Sequence, residues 1–347
     1  MRLAYVDYHT CGEPVRIVTS GYPELTGASL LEKRRQARER HDHLRRAMML
    51  EPRGHDGMYG VIPVAASHPE AAFGVLFTHN EGYSTMCGHA TIALGRYAIE
   101  HGLVPAVEPV TRFSIEAPCG LLRLACEVEG GQGGCKVGKV SFESVPAFVE
   151  ARALPVALPG FGTVVTDIAY GGAYYCILPA SHFGLDLFAS PVAEIVAAAG
   201  LLTDTVRTAR AITHPTEPDL GFLYGTIVTD EAGPEAESFN LCVFAERQID
   251  RSPTGSGVTA RMALDHAKGL IPAGRSRSFL SITGGAFTGT VVGPAEFPAA
   301  GAVTVAVAGT SHLAGEGSFV IEADDPLRHG FALPRRFAEI PGAPARG

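Results

Sequence analysis

Cys87 stands directly before Gly88-His89, and Thr254 directly before Gly255-Ser256. Each heads a run that closes on Gly-Leu, at Gly102-Leu103 and Gly269-Leu270. Laid over each other at one constant offset, Cys87 falls on Thr254, Gly88 on Gly255 and Ala93 on Ala260. A thiol therefore faces a hydroxyl across an internal duplication. The small residues that follow leave the first-turn N–H groups of a helix open, and those groups and the helix dipole favour an anion. Two such starts facing each other make a pocket for one carboxylate. The same field lowers the pKa of a thiol placed in it. The local chemistry is thus a small carboxylic acid held by backbone amides, with Cys87 acting on a neighbouring carbon. Plainer roles stay open. Cys87 also fits a buried core position, Ser252 and Thr254 fit N-caps, and Asp250 fits a turn. The repetition and the polar frame Asp250-Arg251-Ser252-Pro253 argue for a site.

The elements that must position these residues are mostly short, alternating strands bounded by Gly, Pro, Asn or Asp. Fourteen such runs extend from LAYVDYH to SFVIEA. Helices are predicted over about 28–48, 87–101, 190–210 and 254–268. The third opens with Ser190 as N-cap and Pro191 at the first helical position; the second and fourth end at Gly102 and Gly269. Strands and helices do not alternate one for one, which excludes a doubly wound parallel sheet. The expected fold is α+β, with two pseudo-symmetric units, each a mostly antiparallel sheet or barrel around a central helix. The expected units are 1–155 plus about 312–347, carrying the Cys87 helix, and 156–311, carrying the Thr254 helix. The site lies in the cleft between them, and ARALPVALPGFG is the expected crossover.

The bulk numbers narrow the field. A chain of 347 residues is long enough for two cores, and a net charge of −8 argues against a nucleic-acid or anionic-membrane partner. No apolar run approaches a membrane span. The seven cysteines are odd in number and contain no C-x-x-C pair, which fits a reducing cytoplasm better than a disulfide framework. The basic run from Lys33 to Arg46 reads as a solvated helix face or a contact with a second copy in a homodimer. The glycine-rich GGQGGCKVG (130–138) lacks the strand–helix context of a nucleotide loop and reads as a hairpin or loop. His9, His214 and His312 lack partners at metal-ligand spacing, so neither a metal nor an organic cofactor is expected.

Met86-Cys87-Gly88-His89 and Asp250-Arg251-Ser252-Pro253-Thr254-Gly255-Ser256-Gly257 closely resemble the two active-site motifs of the proline racemase family. Glu51-Pro52-Arg53-Gly54-His55-Asp56-Gly57-Met58-Tyr59-Gly60 resembles its third signature, and the likeness spans nearly the whole chain. The resemblance implies the two-domain fold shared with diaminopimelate epimerase and an imino-acid substrate. It implies Cys87 as the first catalytic cysteine. The amides of Gly88, His89, Gly255 and Ser256 would hold the carboxylate. The side chains of His89 and Asp250 would contact the ring nitrogen, and Tyr59 and Phe244 would flank the ring. Tyr59 departs from a common Phe, which adds a hydroxyl where a hydroxylated substrate could be met.

Thr254 is the larger departure, since racemases and epimerases of the family carry a second cysteine there. Inversion needs one group to remove the Cα proton and another, on the opposite face, to return one. A threonine hydroxyl is far too weak an acid to replace a thiol without a partner base. One-face chemistry remains. Cys at the first position and Thr at the second resembles the family members that dehydrate, which implies conversion of trans-3-hydroxy-L-proline, whose Cα hydrogen and hydroxyl lie on one face, to 1-pyrroline-2-carboxylate. Two rival readings are a proline or hydroxyproline racemase or 2-epimerase, and a non-catalytic imino-acid-binding protein that kept the pocket.

Overall fold

The computed structural model describes residues 1–131, 134–233 and 235–333. The first part of the chain forms β1 (Arg2–Thr10), β2 (Glu13–Ser20), α1 (Leu30–Arg40), α2 (Asp42–Met49), β3 (Tyr59–Val64), β4 (Phe73–His79), β5 (Tyr83–Ser84), α3 (Gly88–Glu100), β6 (Val110–Ala117), β7 (Gly120–Gly131) and β8 (Gly134–Glu143). The second forms β9 (Phe148–Leu158), β10 (Gly162–Tyr170), β11 (Tyr174–Pro179), α4 (Val192–Ala209), β12 (Leu223–Thr229), β13 (Ser238–Phe244), β14 (Gln248–Ile249), α5 (Gly255–Ala267), β15 (Ser276–Leu280), β16 (Ala286–Pro294) and β17 (Val303–Gly309). β18 (Ser311–Val320) then returns to pair with β1.

The duplication is written in the strand pairing. In the first half β18, β1 and β2 pair antiparallel, β2 meets β3 in parallel, and β3 pairs antiparallel with β4. β4 then meets β6 in parallel, and β6, β7 and β8 pair antiparallel. In the second half β9, β10, β11, β12, β13, β15, β16 and β17 repeat that succession, with parallel joins at the same two steps. The halves meet where β8 pairs antiparallel with β17, placing Phe142 opposite Val307. The α+β, mostly antiparallel, pseudo-symmetric expectation holds.

Each half wraps one central helix. α3 packs on β1, β2, β7 and β8, and α5 packs on β9, β10, β11 and β16. Both are buried nearly all round, as a helix enclosed by sheet must be, and in both the C-cap residue is followed by a glycine at positive φ, Gly102 and Gly269. One buried apolar cluster runs through both halves. The helix starts touch there. A Cβ added to Gly255 would sit 2.6 Å from the Gly88 Cα, so no side chain fits at either position.

Several local expectations are corrected. The predicted helix at 28–48 is two helices that break at His41. Its basic residues divide: Lys33, Arg34 and Arg45 reach backbone carbonyls of Ala65, Tyr83 and His79 in the same chain, while Arg35, Arg38, Arg40 and Arg46 are exposed, as expected of a solvated face. Ser190 does not cap α4. Pro191 holds the cap position, and the Ser190 hydroxyl accepts from the Asp186 N–H instead.

ARALPVALPGFG is not a loose crossover. Most of it is β9, an edge strand, where Pro155 needs no ladder donor. The boundary at 155 therefore falls inside a strand that pairs with β10 along its length. On this pairing we propose 1–147 with β18 for the first unit and 148–309 for the second. Residues 334–347, assigned to the first unit from sequence, lie outside the described residues, as do Gln132 and Gly133 of the glycine-rich stretch. The rest of that stretch ends β7 and begins β8, which pair antiparallel.

Gly255→Ala tests the helix contact. Alanine raises intrinsic helix propensity, but the forced overlap with Gly88 is expected to lower stability by ~1–3 kcal/mol. Urea denaturation followed by circular dichroism reads this directly, and a more stable variant would contradict the contact.

Candidate active site

The two helix starts differ both in the backbone of the N-cap residue and in its side chain. Cys87 is the N-cap of α3; its Sγ accepts from the Ala90 N–H at 3.4 Å. Thr254 is the N-cap of α5, yet its side chain makes no cap. Its Oγ1 donates to Asp250 Oδ2 at 2.8 Å. Asp250 Oδ1 accepts from the Ser252 N–H, and the Ser252 hydroxyl accepts from the Thr254 N–H. This chain of bonds holds Thr254 at φ 65, a conformation that costs a non-glycine residue ~1–3 kcal/mol and clusters at functional sites. The amides of Gly88, His89, Gly255 and Ser256 belong to first turns, which have no intrahelical acceptors.

All nine residues singled out from sequence line one closed pocket: Tyr59, Cys87, Gly88, His89, Phe244, Asp250, Thr254, Gly255 and Ser256. The cavity is only about 20 Å³, room for roughly one water, so a ligand enters only if the walls part. A cavity of 690 Å³ lies elsewhere, beside Tyr170 and His214. Size does not mark the chemistry here; the convergence of thiol, imidazole, carboxyls and helix starts does.

The pocket also holds residues that sequence reading missed: Glu13, Met86, Tyr175, Tyr224 and Cys242. Glu13 opens β2 and is fully buried; its Oε2 accepts from the backbone N–H of Arg251 and forms an ion pair with that residue's Nε at 3.0 Å. The Tyr175 and Ser256 hydroxyls share a hydrogen bond of 2.7 Å, so Tyr175 orients the second helix start. Tyr224 stacks on Phe244 with centroids 5.5 Å apart, and Tyr59 meets His89 edge-on at 4.8 Å. Cys242 lies on β13, in the same pocket wall as Thr254. Tyr175, Tyr224 and Cys242 read as ordinary strand positions; alternation marks a residue as buried without saying which cavity it borders. A buried glutamate beginning the apolar run Val15-Arg16-Ile17-Val18 was the one legible signal for Glu13.

Burial dominates the electrostatics and corrects one expectation. The helix start was expected to lower the Cys87 pKa. The Ala90 N–H does act in that direction, but burial, aided by Asp250 and Glu13, pushes the thiol well above its ordinary range. His89 is driven down to about 4 by burial, with Asp250 only partly opposing, and is neutral near pH 7. Its Nδ1 is 3.2 Å from Cys87 Sγ. Glu13 is raised well above the carboxylate range by burial and by Asp250, against the pull of Arg251. Among the described residues, no group of three His, Cys, Asp or Glu side chains could hold a metal ion, and no helix is long and apolar enough to cross a membrane.

Fold and site together define a duplicated α+β protein with a buried thiol and imidazole at paired helix starts. The chain belongs to the proline racemase family, whose sequence model, described as "Proline racemase", matches residues 5–332. It is 50% identical over 337 residues to the human protein named trans-3-hydroxy-L-proline dehydratase, covering 95% of this chain and 94% of that one. It is 40% identical over 332 residues to the 3-hydroxyproline 2-epimerase of Burkholderia multivorans, covering 95% and 98%. A crystal structure of a hydroxyproline epimerase from Agrobacterium vitis, with bound trans-4-hydroxy-L-proline, superposes with a TM-score of 0.89 at 25% identity, covering 96% of this chain and 95% of that one.

The raised Cys87 pKa has a measurable sign. A thiol is alkylated through its thiolate, so the ligand-free protein should react slowly with iodoacetamide at Cys87 at pH 7. The rate should climb about tenfold per pH unit through pH 9. Mass spectrometry of Cys87 across pH 6–10 checks this. A rate already at its plateau at pH 7 would show that the helix start outweighs burial.

Proposed function

We propose that this chain is a hydro-lyase that removes water from trans-3-hydroxy-L-proline to give 1-pyrroline-2-carboxylate. The observation that carries the reading is the unlike pair at the helix starts. Cys87 faces the pocket beside a neutral imidazole, while Thr254 donates its hydroxyl proton to Asp250. A carboxylate is too weak a base to turn that hydroxyl into a proton-transfer group for Cα chemistry. One face is therefore equipped to move a proton and the other is not. The name of the human relative at 50% identity supports the same reaction.

The substrate carboxylate is received by the amides of both helix starts, and the ring nitrogen lies against His89 and Asp250. Tyr59 and Phe244 flank the ring. The Cys87 thiolate removes the Cα proton. The same amides stabilise the enediolate-like carbanion as charge moves onto the carboxylate. The C3–O bond breaks on the Cys87 face, and water leaves. The enamine product tautomerises to the cyclic ketimine. Thr254 orients the substrate. No step calls for a metal or an organic cofactor. The seven unpaired cysteines support a reducing, cytoplasmic setting.

A 2-epimerase is the second reading, favoured by one observation: Cys242 puts another thiol in the wall beside Thr254. Burial and Asp250 raise the pKa of that thiol, as they raise that of Cys87.

Incubation with trans-3-hydroxy-L-proline, trans-4-hydroxy-L-proline and L-proline, with ketimine and optical rotation both followed, separates the two. Ketimine from the first substrate and no inversion of the others is expected. Cys87→Ala should lower ketimine formation by at least ~10³-fold, within the range for loss of a general base. Thr254→Cys should gain inversion at Cα. A Cys87→Ala variant that keeps dehydrating would sink the mechanism.

A further inference from the structure

Tyr59 opens β3 directly opposite His79 on β4, and its ring is held by stacking against His79 at 6.0 Å and by the edge contact with His89 at 4.8 Å. The side chain is 3% exposed, and its hydroxyl has no hydrogen-bond partner. An unsatisfied buried hydroxyl costs ~1–3 kcal/mol, so its place in a reactive pocket calls for a reason. The polar groups nearest to it are the Ser84 hydroxyl and the Cys87 thiol. Ser84 gives its hydroxyl proton to the Met86 carbonyl at 2.8 Å, and Tyr175 is engaged with Ser256. The phenol lies beside the Cys87 thiol, and burial keeps it protonated. The pocket thus contains a neutral, oriented O–H donor on the side of the base.

We propose that the Tyr59 hydroxyl binds the departing 3-hydroxyl and supplies the proton with which it leaves. This rests on the dehydratase reading above. In the trans isomer the Cα hydrogen and the 3-hydroxyl share a ring face, so a donor beside Sγ faces the leaving oxygen. The Cα–H bond breaks and an S–H bond forms. The electron pair left on Cα becomes the second Cα–C3 bond as the C3–O bond breaks with its own pair. The leaving oxygen takes the phenolic proton and departs as water. The Cys87 thiol then returns its proton to the phenolate, and both side chains are restored with no oxidant or reductant. A phenol suits the task better than the thiol alone, because S–H is a weak hydrogen-bond donor. Tyr59 is in this account a catalytic residue for C–O cleavage and not for Cα deprotonation.

That division is testable with Tyr59→Phe, which keeps the ring and removes one oxygen. Wild type and variant are incubated with trans-3-hydroxy-L-proline in deuterium oxide. Ketimine is measured against time, and recovered substrate is analysed for deuterium at Cα. The variant is expected to form ketimine with a kcat lowered ~10²-fold, KM changing far less, while Cα exchange continues. Its thermal midpoint should stay at or above that of wild type, because an orphaned buried hydroxyl has been removed. Ketimine at the wild-type rate would overturn the proposal. A parallel fall of dehydration and exchange would overturn it too, by assigning the hydroxyl to Cys87 or to packing. A wild-type protein that forms no ketimine at all overturns the dehydratase reading and this proposal with it.

Discussion

Gly88 and Gly255 meet backbone to backbone, and the rest of the site follows from that contact. Two helices from separate halves can bring their first turns together only where neither carries a Cβ. The contact places two sets of unpaired N–H groups around one small volume. It also puts the preceding residues, Cys87 and Thr254, on the walls of that volume. The β8–β17 ladder serves the same end from the sheet side by joining the halves across their pseudo-symmetry axis. Everything else in the pocket is added to this symmetric frame.

The additions break the symmetry. The N-cap of α3 takes the ordinary extended conformation and directs a thiol at its own helix and at His89. The N-cap of α5 is held at positive φ, with its hydroxyl turned toward Asp250. Around them, burial favours the uncharged forms of His89, Glu13 and the tyrosines. A small buried pocket strengthens the hydrogen bonds offered to a charged ligand. Its small volume also means that opening and closing must accompany each turnover.

The family contains relatives named for dehydration and for epimerisation at 50% and 40% identity. The frame is compatible with either, because a carboxylate cradle and a carbanion-stabilising field serve both. What separates them is whether a competent proton carrier stands on the second face. In this chain that place is filled by a hydroxyl bonded to a carboxylate.

Much of the site was legible before any fold was known. Glycines after Cys87 and Thr254, a histidine beside the thiol and an aspartate four residues before the hydroxyl are local signals, and a duplicated spacing makes them mutually supporting. The α+β class and the two central helices were legible for the same reason, since periodicity and capping act over a few residues. The edge strands β9 and β18 were not fully legible, because edges tolerate proline, glycine and exposed polar residues that elsewhere mark loops. Nor was the state of Cys87. A helix start lowers a thiol pKa by a local field, whereas burial raises it through the whole surrounding protein, and only the tertiary structure sets which is larger. Glu13, Tyr175, Tyr224 and Cys242 reach the pocket from strands far apart in the chain. Their types were written in the sequence, but their meeting point was decided by how the sheets close around α3 and α5.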